Sequence, residues 1–166
     1  MSNATLTQFK EAVDEEIKSY EAMEELYKIK QAILVQGKSD VLWEVDEKIV
    51  SRMKTLKNLD SQRKEIAKYL GSETLTMSQA IAKAQASNDA IAEKLKTQQT
   101  KLKILANSIS LYERTNMDLI KHGLIMTGKT INIIVSALLP QSNQYNKEGK
   151  NVENDKFRIS SIVEEV

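Results

Sequence analysis

Side chains that are mostly apolar recur in alternating steps of three and four through the second half of this chain. An α-helix has 3.6 residues per turn, so residues at these steps share one side of a helix and form a coiled-coil seam when the repeat lasts for many heptads. The repeat predicts a helix over 76–139, about 95 Å long if straight. Its positions are Ile81, Ala84, Asn88, Ile91, Leu95, Gln98, Leu102, Leu105, Ile109, Tyr112, Asn116, Leu119, Gly123, Met126, Thr130, Ile133 and Ala137.

Local residues mark both ends of this predicted helix. Thr76 and Gln79 have the spacing of a capping box, and Pro140 disfavours a helical conformation of the residue before it. Gly123 and Gly128 each weaken a helix by up to about 1 kcal/mol relative to alanine. A break in the helix between 108 and 128 is therefore left open.

Two shorter periodic segments, 6–36 and 40–70, come before the long one. Gly37 and Gly71 follow them and supply the left-handed residue that commonly closes a helix. Helices of about 30 residues are roughly 45 Å long, so two of them cover only about half of the third. We therefore expect an all-α fold, an antiparallel coiled-coil bundle of three to four long helices. Residues 1–5 are assigned to an N-terminal extension or expression scar, and the polar stretch 140–166 to a mobile C-terminal tail.

The composition excludes several classes of function. The chain has no cysteine and a single histidine, His122, so thiolate metal sites, two-histidine metal sites and histidine-dependent triads have no ligands or base. Gly123, Gly128, Lys129 and Thr130 have the spacing of a phosphate loop, but they lie within the predicted helix 76–139 and not between a strand and a helix, so nucleotide binding is not expected. We expect no catalytic, cofactor-binding or metal-binding residues, and therefore no enzyme.

Charge and hydropathy argue against nucleic acid and membranes as partners. The net charge is +1 with 28% charged residues, which gives no strong field for phosphates. Basic stretches at 52–68 and 94–103 leave an RNA-binding face as a less favoured alternative to ion pairing between helices. The longest apolar run, 131–139, is about nine residues, whereas a bilayer span needs roughly twenty. The N-terminus lacks a basic segment followed by an apolar core, so no signal peptide is expected, and the absence of cysteine agrees with a reducing cytosol.

The second half of the long helix differs from the rest because it is apolar on two sides. A second apolar stripe runs beside the seam, and Lys129 is the only formal charge between His122 and Asn146. A helix of this kind is either buried on both sides, paired with another copy, or available to a partner. The stripe consists of Ile120, Leu124, Ile131, Val135 and Leu138, and the adjacent seam positions are Leu119, Met126 and Ile133.

Three features together resemble the FlgN family of flagellar export chaperones over residues 9–149. The first is an opening helix that leads into the turn at 37–40. The second is the middle helix, and the third is the long last helix with the residues that follow it. The residues that carry the resemblance are Leu26, Tyr27 and Ile33, then Leu56, Leu59 and Arg63, and finally Asn116, Leu119, Ile120, Leu124, Tyr145 and Gly149.

This resemblance implies a cytoplasmic protein that binds the terminal helices of hook-associated proteins, prevents their premature assembly and assists delivery to the export gate. It places the client on the C-terminal helical part and a contact with the export gate at Tyr145. A homodimer through the same surface is left open, and a structural coiled-coil protein without an export client is the alternative. The implied client-binding residues are Leu119, Ile120, Leu124, Ile131, Ile134, Val135 and Leu138.

Overall fold

The fold is seen in a computed structural model that describes residues 3–138. The described chain is helical and contains no strand, which confirms the all-α prediction. The predicted tail at 140–166, including Tyr145, lies outside the described residues. The helices are α1, Asn3–Val35; α2, Leu42–Tyr69; α3, Met77–Gln85; and α4, Asp89–Leu138, with a 3-10 turn at Ser39–Val41 before α2.

The helix predicted over 76–139 is divided in two, between the end of α3 and the start of α4. Asn88, which the heptad repeat placed in the seam, instead caps α4, because its Oδ1 accepts a hydrogen bond from the backbone N–H of Ile91 at 3.3 Å. Short polar side chains such as asparagine compete for backbone groups in this way and favour helix ends. In contrast, α4 continues without a break through 108–128, where the glycines had left one open.

The two predicted closing glycines have the expected conformation. Gly37 has φ of 67° and Gly71 has φ of 110°. After α1, the N–H of Lys38 donates to the carbonyl of Ile33 at 3.1 Å, and the N–H of Gly37 donates to that of Leu34 at 3.2 Å. This pair of bonds is the Schellman motif, so the prediction that Gly37 closes the first helix is confirmed.

Ion pairs show that α1 and α2 are antiparallel. Arg63 Nε lies 2.7 Å from Glu16 Oε1, and Lys30 Nζ lies 2.7 Å from Asp46 Oδ1. A residue in the first half of α1 therefore contacts one near the end of α2, and a residue near the end of α1 contacts one near the start of α2. This arrangement confirms the predicted antiparallel packing of consecutive helices.

Buried amides align α4 with α1 in the same direction. Gln98 Nε2 donates to the carbonyl oxygen of Lys10 at 3.0 Å, and Asn116 Nδ2 donates to that of Tyr27 at 3.0 Å. Both amides occupy predicted seam positions and are buried. The side-chain oxygens of both amides are buried without a partner, so a shift of register would leave the N–H groups unpaired as well, and these bonds favour one lengthwise register.

The chain divides into two compact units, Met1–Leu119 and Ile120–Val166. The main core of the first unit joins α1 with the end of α2, α3 and the start of α4. Among residues 3–138, no helix is both long and apolar enough to cross a membrane. The buried side chains of this core are Leu6, Phe9, Val13, Ile17, Ala67, Leu70, Leu75, Ala80, Ile81, Ala84, Ala92, Leu95 and Leu105.

The capping box at the start of α3 is formed as the sequence predicts. Thr76 Oγ1 accepts from the N–H of Gln79 at 3.2 Å, and Gln79 Oε1 accepts from the N–H of Thr76 at 2.9 Å. We expect Thr76→Ala to lower the free energy of unfolding by about 1 kcal/mol, because the cap hydrogen bond is lost. Urea denaturation followed by circular dichroism measures this change. Thr74→Ala, which lies outside the capping box, is the control. If Thr76→Ala lowers the free energy of unfolding no more than Thr74→Ala does, the prediction is contradicted.

Candidate functional site

The candidate site is an apolar surface on the C-terminal part of α4. We define the α4 stripe as Ile120, Leu124, Ile131, Ile134, Val135 and Leu138. At 3.6 residues per turn these positions share one side of the helix, and all of them belong to the second unit. Leu119, the remaining predicted residue, is half-buried and belongs to the first unit.

Most side chains of the α4 stripe are open to solvent. Leu124 is 63% exposed, Ile131 is 45% exposed and Leu138 is 78% exposed. Ile134 and Val135 are also exposed, while Ile120 is half-buried. Large contiguous apolar surfaces are uncommon on soluble proteins unless they bind something, so this part of α4 is the best candidate for an interaction surface.

Apolar side chains also lie outside the α4 stripe. Met126 and Ile133, which the heptad repeat placed on the seam, are 50% and 71% exposed. Ile125 is 48% exposed and was not singled out by the sequence, because it belongs to neither apolar row. Its position next to Leu124 in an almost uncharged segment is the sequence feature that could have indicated its place on the apolar surface. The expectation of a helix with two apolar sides therefore agrees with the exposures in the second unit.

The segment that carries the stripe is almost free of charge. From Lys121 to Leu138, the formal charges are Lys121 and Lys129, and there is no carboxylate. The surface is therefore suited to apolar contact: Lys121 lies at its border, and Lys129 lies on the opposite side of the helix. It has neither the acid and base of a catalytic site nor the dense positive charge of a phosphate-binding one.

Most acidic side chains of α1 form ion pairs within the first unit. Glu24 accepts hydrogen bonds from the Ser108 hydroxyl and from Lys28, and these bonds lower the pKa of its carboxyl. Glu25 also pairs with Lys28, and Lys101 of the basic stretch pairs with Glu21 at 2.5 Å. The pairs with Lys28 lie within α1, whereas the pair between Lys101 and Glu21 joins α4 to α1 and is of the kind expected between neighbouring helices.

Glu16 is the buried member of a charged cluster that also contains Arg63 and Asp60. Burial raises the pKa of Glu16, and the hydrogen bond from Arg63 offsets part of this shift. Arg63 also donates to Asp60 at 2.6 Å, and the pKa of Asp60 is lowered by hydrogen bonds from Lys64 and Arg63. The cluster joins α1 to α2. Among residues 3–138, no group of three histidine, aspartate or glutamate side chains is arranged to hold a metal ion.

The family model described as FlgN protein matches residues 1–153, which includes both the bundle of the first unit and the α4 stripe. No curated protein and no solved structure matches the chain.

Proposed function

The chain belongs to the FlgN family of flagellar export chaperones, and we propose that it binds the terminal helices of hook-associated proteins in the cytoplasm. Binding would prevent these clients from assembling early and would assist their delivery to the export gate. The observation that carries the proposal is the exposed α4 stripe, an apolar helical surface with almost no charge.

The mechanism requires no chemical step. An amphipathic client helix places its apolar side on the α4 stripe, as helices do in other helix-binding grooves. Burial of about 400 Å² of apolar surface on each partner gives a gross gain of about 20 kcal/mol. Association costs about 4–15 kcal/mol, which leaves a net binding free energy of about 5–16 kcal/mol. A micromolar dissociation constant corresponds to roughly 8 kcal/mol, which lies within this range.

Two further parts of the proposal concern other contacts. Tyr145 would contact the export gate, as the family resemblance implies. A homodimer formed through the α4 stripe would compete with the client for the same side chains. Release of the client would then depend on the export machinery rather than on a reaction within this chain.

We expect the double variant Leu124→Asp with Ile131→Asp to weaken client binding at least about thirtyfold, because each change removes apolar burial and places a carboxylate in the contact. The probe is a labelled synthetic peptide that spans the terminal helix of a hook-associated protein from the same bacterium. Fluorescence anisotropy with the full chain gives the dissociation constant.

The matched control is Asn132→Asp with Ser136→Asp, which adds the same two charges to exposed positions outside the α4 stripe. This control should bind the peptide as the unchanged chain does. Unchanged affinity in the Leu124 and Ile131 variant would refute the site assignment. If no terminal-helix peptide binds the unchanged chain, the alternative of a structural coiled-coil protein is favoured.

A further inference from the structure

We propose that residues 159–166 of this chain pack on the α4 stripe when no client is bound, and that a client binds only after they have left it. These residues, which we name the distal segment, lie outside the residues that the structure describes. The inference rests on the proposed function, because it concerns regulation of the same surface.

The α4 stripe leaves a large apolar surface uncovered within residues 3–138. Leu124 is 63% exposed, Ile131 is 45% exposed and Leu138 is 78% exposed. Removal of apolar surface from water gains about 25 cal/mol per Å². An apolar segment of the same chain that can reach the stripe therefore competes with a client for it.

The distal segment has the apolar pattern that such a surface accepts. Its four aliphatic residues, Ile159, Ile162, Val163 and Val166, are spaced as i, i+3, i+4 and i+7, which is the pattern of a helix with one apolar side. Residues 139–158, by contrast, contain one leucine, one valine and no isoleucine. The distal segment is therefore the part of 139–166 that most resembles the apolar side of a client helix.

The charges of the two segments are complementary. Lys121 lies at the border of the α4 stripe, and α4 has no carboxylate from Lys121 to Leu138. The distal segment has the carboxylates of Glu164 and Glu165 and contains no lysine or arginine. Its contact with α4 therefore brings no like charges together and allows a carboxylate to pair with the lysine at the border.

The connection between the two segments has a suitable length. About 20 residues, 139–158, separate Leu138 from Ile159. A flexible chain of this length has an average end-to-end distance of about 25 Å. Leu124 lies about 21 Å along α4 from Leu138, so the distal segment can reach the middle of the stripe within the same molecule. A tethered segment binds best when its linker matches the distance to be spanned, and its local concentration is then in about the millimolar range.

Point variants of the distal segment test the inference in the full chain. Ile162→Asp with Val163→Asp places two carboxylates in the apolar row and should release the stripe. We expect the labelled terminal-helix peptide to bind this variant about tenfold more tightly than the unchanged chain, because a stripe that is covered about nine-tenths of the time has its apparent affinity reduced by that factor. Fluorescence anisotropy gives both dissociation constants.

Ser160→Asp with Ser161→Asp is the matched control, since it adds the same two charges to neighbouring positions outside the apolar row. This control should bind the peptide as the unchanged chain does. An affinity of the Ile162 and Val163 variant that is no higher than that of the unchanged chain would overturn the inference. An equal gain in the control would overturn it as well, because charge alone would then explain the effect.

A spin label detects the contact in the absence of a client. The chain has no cysteine, so Ser161→Cys accepts one nitroxide label at a defined position. We expect this label to broaden the methyl NMR signals of Leu124 and Ile131 in the full chain. The broadening should disappear when Ile162→Asp and Val163→Asp are added. Sharp signals in the labelled chain with no other change would contradict the proposed contact.

The same label separates the chain's own distal segment from that of a second copy. When spin-labelled chain without isotope enrichment is mixed with enriched chain that carries no label, only contact between molecules broadens the signals. We expect sharp signals in this mixture. Broadening as strong as that within one labelled chain would assign the contact to a second copy and overturn the inference.

The two measurements distinguish a failure of this inference from a failure of the proposed function. If the peptide binds the unchanged chain while the label leaves the signals of Leu124 and Ile131 sharp, the inference fails and the proposed function stands. If the label broadens these signals but no terminal-helix peptide binds, the distal segment covers the stripe and the proposed function fails.

Discussion

Replacement of Phe9 by alanine is expected to lower the free energy of unfolding of the first unit by about 4 kcal/mol. Phe9 has 0% of its surface exposed and lies in the main core with Val13 of α1, Leu70 at the end of α2 and Leu95 of α4. Removal of the ring forfeits its burial and leaves a cavity that the surrounding helices fill only in part. The loss is large because all four helices contribute to this core.

Urea denaturation monitored by circular dichroism measures this change in stability. Tyr69→Ala is the control, because it also removes an aromatic ring, but from a side chain of α2 that is 83% exposed. It should change the free energy of unfolding by less than about 0.5 kcal/mol. A Phe9→Ala variant no less stable than the Tyr69→Ala variant would show that Phe9 does not occupy the core.

Arg63→Met is expected to lower the free energy of unfolding by about 3 kcal/mol at pH 7, because it leaves the Glu16 carboxylate buried without its partner. The side chain of Glu16 is only 7% exposed, and Arg63 Nε donates to it at 2.7 Å. Methionine keeps much of the apolar length of arginine, so most of the loss comes from the unpaired charge.

The cost of Arg63→Met should depend on pH. Burial already raises the pKa of Glu16, and loss of Arg63 raises it further. A carboxyl whose pKa is raised by folding binds its proton more tightly in the folded chain, so protonation favours folding. The difference in stability between the unchanged chain and the variant should shrink as the pH falls from 7 towards the ordinary glutamate value of about 4.3.

A double-mutant cycle separates this charge effect from lost packing. Arg63→Met with Glu16→Met places two apolar side chains where the buried pair was, and this exchange is often neutral or stabilising. We expect the double variant to recover most of the stability lost by Arg63→Met alone. The cost of Arg63→Met measured in the Glu16→Met background should be independent of pH in that range. A penalty for Arg63→Met that is the same at pH 5 and pH 7 would contradict the proposed cause.

Local features of the fold could be predicted from sequence because their causes are local. Helix periodicity, the Thr76 capping box and the closing glycine Gly37 depend on residues only a few positions apart. The division at Asn88 was missed because asparagine also occurs in coiled-coil seams, where Asn116 is buried here. The heptad repeat alone did not distinguish these two uses of one residue type.

The apolar character of the candidate site could also be predicted from sequence. A segment with two apolar sides and almost no charge is visible in the residues themselves, and Leu124, Ile131 and Leu138 follow from it. The exposure of these side chains could not be predicted from sequence, because the same apolar row is found on helices that are buried and on helices that bind a partner. Ile125 was missed for the related reason that it lies outside both rows, yet it is exposed beside Leu124.

The sequence by itself determined that this chain forms long amphipathic helices, where most of them begin and end, and which part of α4 is apolar on two sides. Only the tertiary structure decided that α1 and α4 run in the same direction, that α4 continues through Gly123 and Gly128, and that Leu105 is buried while Ile133 of the same repeat is exposed. The physical reason is that a heptad repeat states which side of a helix seeks apolar contact, whereas burial depends on whether another helix is long enough to reach that side.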